Sequence, residues 1–286
     1  MRLPELEGRV SARAGTWISS LPSASSACSV ANREMEIGSL RWAESTGGRL
    51  SRFELVRFLA VGMRSQLGML PARVTAALGL RRAQLANLDL EHLRLPDSKA
   101  AQEAEAICSE LPTYLASHSQ RTYLWGSALG THDGLDYDEE LLYISCLLHD
   151  RGLPPAVERH DEKCFTLASA SVADEHARRS GWPKERAASL SEAITLHLNP
   201  WVSPAQGIEA HLLNAGAAVD VAGLRRWELH PETVTAVVRR HPRADFKRQF
   251  RAAFGAHAQA APRCRVDTLL RYGLFGPMIR HAPFDE

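Results

Sequence analysis

The sequence predicts an all-α protein, a helical bundle with an N-terminal helical extension. Apolar residues recur at three- and four-residue steps in every long segment, and no segment alternates apolar and polar residues as a half-buried strand does. The segments are separated by Gly/Pro turns. With 286 residues, 45% of them hydrophobic, the chain can bury the core of one large domain or two small ones.

The formal net charge is +1, so neither a nucleic-acid partner nor a membrane surface is expected on electrostatic grounds. No apolar run approaches the length of a membrane span. The five cysteines (Cys28, Cys108, Cys146, Cys164, Cys264) are widely spaced and form no CxxC pair. That pattern fits a reducing, cytoplasmic setting and argues against a disulfide frame or a cysteine zinc site.

Residues 1–48 are expected to be disordered on composition: Ser, Ala, Gly and Arg dominate, as in SSLPSASSACSV. The start, MRLPELEGRV, has neither a basic n-region nor a following apolar run, so no signal peptide is read here. Residues 49–90 read as a helical hairpin. Ser51 with Glu54 three residues on forms a capping box, and Pro71 is expected to begin the second helix. Arg73, Arg81 and Arg82 read as a solvated face rather than a DNA-binding one. Residues 91–286 form the main domain, which opens on the linker LRLPDS and an Ala-rich helix from Ser98.

The central stretch is Asp138–Leu153, DEELLYISCLLHDRGL. Three acids suit a helix N-terminus, where the backbone dipole is positive. The apolar residues that follow cover nearly every side, as in a buried helix. It ends in His149-Asp150, with Gly152 suited to a left-handed turn. A buried carboxylate there is costly unless it is paired or bound to a metal. In the preceding helix, Leu111, Leu115, His118, Thr122, Trp125 and Leu129 form one face, with His118 in its middle. Beyond Pro183, Ala187, Leu190, Ile194 and His197 share a stripe, and Leu213, Ala217, Asp220 and Leu224 share another. Three helices thus each place one metal-competent side chain on an apolar stripe, and the central helix supplies two more. Imidazole nitrogen and carboxylate oxygen are the donors that zinc, iron, manganese and nickel sites use, and bundles build such sites from inward-pointing side chains.

In HSQRTYLWGSAL, LLYISCLLHDRGL and the later helix with Asp220, the chain resembles the HD superfamily of metal-dependent hydrolases, all-α proteins named for a His-Asp doublet. The resemblance implies His118, His149, Asp150 and Asp220 as ligands of one divalent metal, with zinc foremost and Fe2+, Mn2+ or Ni2+ as alternatives. LRLPDS, EAITLH at His197, NAGAAVDVAGL and HPRADFKRQF resemble the cyanamide hydratase-like branch more closely. That branch carries an aromatic-acid pair and a nearby glycine close to Phe165. Here CFTLASASVAD has Thr166 and Ser169 in those places.

The implied activity is addition of a metal-activated water to a small molecule, a hydratase or hydrolase with a cyanamide- or nitrile-like substrate. Asp150 and His197 are the expected catalytic residues, Asp150 beside the water and His197 for proton transfer or substrate orientation. Three alternatives stand: a phosphohydrolase acting on a nucleotide or phosphate ester, a two-metal oxygenase, and a non-catalytic metal-binding module. Phosphate chemistry would want clustered basic residues, and only Arg121 and Arg151 lie near the motif. His176 is expected on an exposed polar helix and His211 in a capping region; as ligands, they would make room for a second metal. His160, His230, His241, His257 and His281 read as loop or surface residues. A homo-oligomer stays open.

Overall fold

The computed structural model describes residues 36–80, 85–153, 163–273 and 275–286. Most of the segment expected to be disordered, and His160, lie outside that range. The part of residues 1–48 that is described contains helix α1 (Leu40–Thr46). Helix α2 follows (Arg52–Ala77), then α3 (Lys99–Ser109), α4 (Thr113–Asp133) and α5 (Glu139–Leu148). The later helices are α6 (Phe165–Arg179), α7 (Lys184–Leu196), α8 (Ile208–Ala222), α9 (Pro231–Arg240), α10 (Phe246–Ala260), α11 (Arg265–Tyr272) and α12 (Phe275–Arg280). Among the described residues there is no strand, only two isolated bridges. The fold is all-α, as the periodicity predicts.

Helix α5 is the axis. Asp138 caps it by accepting from the Leu141 amide at 3.0 Å, with Glu139 and Glu140 in the first turn, and every residue from Leu141 to Leu148 is buried. Helices α4 and α8 cross closely because glycine removes side chains at the contact. A Cβ on Gly126 would sit 2.9 Å from the Leu212 carbonyl oxygen, and one on Gly216 would collide with that of Thr122. This crossing sets Asp220 of α8 against His118 of α4.

Two local expectations change. Ser51 and Glu54 do form the capping box of α2, but no new helix begins at Pro71: α2 runs through it as one helix. The proline leaves only the Leu67 carbonyl without its helical donor, and Leu67 is on the solvent side. Gly152 is not left-handed. It lacks a side chain because a Cβ would strike the Phe165 carbonyl, and its amide donates to Ser169 Oγ at 2.8 Å. Helix α2 buries only Phe58 and leaves Phe53, Val56, Met63, Leu67, Leu70 and Val74 exposed. No described helix is long and apolar enough to cross a membrane.

Candidate metal centre

Three imidazoles meet beside Asp150, and the partners of each Nδ1 settle how the rings present themselves. His149 caps the C-terminus of α5, and its Nδ1 lies 2.7 Å from the Cys146 carbonyl. His197 caps α7 in the same way, with Nδ1 2.6 Å from the Ile194 carbonyl. His118 Nδ1 lies 2.7 Å from Asp220 Oδ2. Carbonyls and carboxylates only accept, so each Nδ1 carries a proton and each ring turns Nε2 inward, as a lone pair where the ring is neutral.

Those Nε2 atoms surround one carboxylate. Asp150 Oδ2 is 3.3 Å from His149 Nε2 and 3.6 Å from His118 Nε2, while Oδ1 is 3.9 Å from His197 Nε2. His118 Nε2 and His149 Nε2 face each other at 3.3 Å. Unless one of them carries a proton, two lone pairs at that distance repel, and Asp150 Oδ2 is buried without a hydrogen-bond partner. A cation between them removes both penalties at once. Donor atoms of His118, His149 and Asp150 lie within 4.8 Å of one another, a grouping able to hold a metal ion.

The electrostatics point the same way. Burial works to raise the Asp150 carboxyl, but His149, His118 and His197 around it hold it down at about 2. Burial lowers His118 despite Asp220. Burial, reinforced by His149, pushes His197 down to about 3, so its Nε2 is unprotonated at neutral pH. His149 alone is raised: burial opposes its charge, but the Asp150 carboxylate outweighs that. The pattern is an ionised Asp150 that favours the charged form of His149 beside two imidazoles kept neutral.

Asp220 is not in the group. Arg121 grips both of its oxygens at 2.7 and 2.8 Å, Trp125 Nε1 donates at 3.1 Å and Arg243 at 3.2 Å. Burial opposes its charge, and Arg121 nevertheless holds its carboxyl well below the ordinary range. Its free valence goes to His118 Nδ1, behind the ring rather than in front of it. The stretch of α8 that reaches the same cavity presents Asn214, Ala217, Ala218 and Val221, with no further acid.

Sequence reasoning missed the supports of this centre. Arg121 and Arg243 are wholly buried on Asp220, and Phe246 stacks on the His118 ring with centroids 4.9 Å apart. Thr166 accepts from buried Arg265 at 3.0 Å, and Arg265 also donates to the Thr195 carbonyl at 2.8 Å, beside His197. Contrary to expectation, His176 is buried, with Nε2 3.0 Å from the Ala100 carbonyl. His211 is buried too, with Nδ1 on the Val202 carbonyl at 2.6 Å. Neither joins the centre. His257 is half-buried rather than on the surface and accepts from the Phe165 amide at 3.1 Å.

The centre forms one end of a cavity of about 560 Å3, walled by α2, α8, α10 and α12. Arg73 is its one Lys or Arg among the described residues. Arg151, which follows the doublet, pairs instead with Glu110 at 2.8 Å.

No curated protein matches the chain. The family model described as HD domain matches residues 115–219, which contain His118, His149, Asp150 and His197 and stop one residue before Asp220. Over that span the chain is similar to the HD domain, an all-α fold found in a superfamily of metal-dependent hydrolases.

Proposed function

We propose that the chain is a metal-dependent hydrolase or hydratase that adds water to an uncharged substrate. The observation that carries this is the convergence of three Nε2 atoms on a buried carboxylate whose Oδ2 has no hydrogen-bond partner. His118 Nε2, His149 Nε2 and Asp150 would hold one divalent ion, and the HD match supports a divalent metal without naming it. Zinc suits two nitrogens and a carboxylate with a position left open, and Fe2+, Mn2+ and Ni2+ accept the same donors. The ion would supply Lewis acidity and bring a water near neutrality in pKa.

The chain's own residues do the rest. Asp220 keeps the His118 ring oriented and its Nδ1 protonated, so that Nε2 faces forward. Asp150 provides the negative charge that holds the ion. His197, unprotonated and fixed through Nδ1, offers Nε2 to take a proton from the attacking water and return it to the substrate. Phe246 and Phe250 pack over His118 and exclude bulk water from that side.

The uncharged substrate follows from the cations. Arg121 and Arg243 pair with Asp220, Arg151 with Glu110, and Arg73, the one Lys or Arg lining the cavity among the described residues, lies over the Trp227 ring, so the described residues offer no arginine cluster for a phosphate at the centre. Nitrile-like substrates, cyanamide among them, fit this chemistry better than nucleotides. The test is a panel of cyanamide, alkyl nitriles, amides and phosphate esters on protein reconstituted with each of the four metals. Turnover of the neutral substrates is expected, lost to a chelator and restored by metal. His197→Ala should keep its metal and lose about 10²–10⁴-fold in rate. Turnover of phosphate esters alone would overturn the substrate class.

A further inference from the structure

The cavity is far larger than a three-atom nitrile needs. Its volume of about 560 Å3 compares with ~30 Å3 for one water in the liquid. Its walls are apolar side chains from separate helices: Phe58 and Met63 of α2, Phe250 and Phe254 of α10, Phe275 and Met278 of α12. Charge is nearly absent from them. Arg73 is their one guanidinium, and it lies over the Trp227 ring at 5.8 Å.

Asn214, on these walls, bonds the backbone of His197. Its Nδ2 donates to the carbonyls of His197 and Asn199, each at 2.8 Å. Both amide hydrogens are therefore used, and the orientation of the side chain is fixed by them rather than by convention. Oδ1 is left as the acceptor of a residue that lines the cavity. A carboxamide oxygen recognises an N–H and repels an anionic oxygen.

We propose that the cavity takes a neutral, largely apolar substrate with its polar, N–H-bearing head at the His118–His149–Asp150 end, where Asn214 Oδ1 accepts the N–H. The proposal rests on the metal-centre reading above and adds the substrate class and a positioning residue. The apolar tail lies between α2, α10 and α12. It supplies the binding free energy, while Asn214 sets which face of the head meets the water.

The experiment is calorimetric titration of zinc-loaded and zinc-free protein with straight-chain alkyl hydroxamic acids from two to ten carbons. These are neutral at pH 7 and carry one N–H beside a metal-binding head. Affinity should rise about fourfold per added methylene until the cavity is filled, and only in loaded protein. Octyl phosphate should bind more weakly than the eight-carbon hydroxamate. Ala218→Phe, which fills part of the cavity, should abolish the gain with chain length. N-methylation of the eight-carbon probe should cost about five- to tenfold in wild type and nothing further in Asn214→Leu. A flat response to chain length, with two-carbon hydroxamate still bound only by loaded protein, would overturn the proposal and leave the metal centre standing. Equal binding by loaded and zinc-free protein would overturn both. An N-methyl probe that binds wild type as well as its parent would remove Asn214 from the head site.

Discussion

Asp220 spends both carboxylate oxygens on Arg121, Arg243, Trp125 and the far nitrogen of His118. Such a carboxylate behind a metal-ligating histidine typically matters 10–100-fold in metal affinity. Asp220→Asn should therefore weaken zinc binding by about that factor while leaving the stoichiometry intact, read by competition with a chromophoric chelator. It also leaves buried Arg121 without its counter-charge and Arg243 with Glu286 alone, a change worth about 3–5 kcal/mol of stability, measured by urea unfolding. An unchanged metal affinity would place Asp220 outside the centre's support. The stripes made His118, His149, Asp150, His197 and Asp220 visible in the sequence, because each is a polar residue where apolar ones belong. They did not separate a ligand from its buttress, since both are buried, polar and on the same face. Asn214 carried no such signal, because a lone amide near a helix's apolar stripe is unremarkable until its two carbonyl partners are in view.

At the scale of the helix, the crossing of α4 and α8 does the positioning. Gly216 brings the α8 backbone against the Thr122 carbonyl, with no room for a Cβ. Gly216→Val should push the helices apart, costing about 1–3 kcal/mol or more by overpacking and drawing Asp220 away from His118. Thermal unfolding and metal affinity should fall together. A variant with wild-type stability would show that the crossing is softer than its geometry. The helices themselves were legible from periodicity and caps, as at Ser51, Ser98 and Asp138, where each side chain accepts from an amide of the first turn. Pro71 misled because a proline that starts one helix in the core is tolerated inside an exposed one, where water reaches the freed carbonyl. Gly152 misled because a close approach to Phe165 and a left-handed turn demand the same residue.

For the whole molecule, the buried histidines, with half-buried His241, set the response to acid. His197 is pushed to about 3 by burial and by His149, and His241 to about 4 by burial and Arg240. Burial lowers His118, His176 and His211 as well. A group whose folded pKa lies below its unfolded value near 6.5 costs nothing above that pH. Below it, the unfolded chain takes up protons that the folded chain refuses, and stability falls. His197 alone gives a slope approaching about 1.4 kcal/mol per pH unit. His149, raised above its ordinary value by Asp150, works in the opposite sense. Five against one, the metal-free protein should lose stability steadily from pH 6.5 toward pH 4, seen as a falling urea midpoint. A flat midpoint over that range would mean that these histidines titrate normally. The bundle and its metal-competent stripes could be read from the sequence. The cavity could not, because it is assembled from helices far apart in the chain, whose apolar residues look alike whether they line a void or fill a core.

The decisive measurement is metal per chain by elemental analysis after reconstitution and desalting, for wild type and for Asp150→Asn. The substitution keeps the size of the side chain and removes the charge on which three imidazoles converge. Wild type should hold one divalent ion per chain and Asp150→Asn far less, with the same circular dichroism. A wild type that retains no metal, or an Asp150→Asn that retains as much as wild type, would contradict a metal centre at His118, His149 and Asp150.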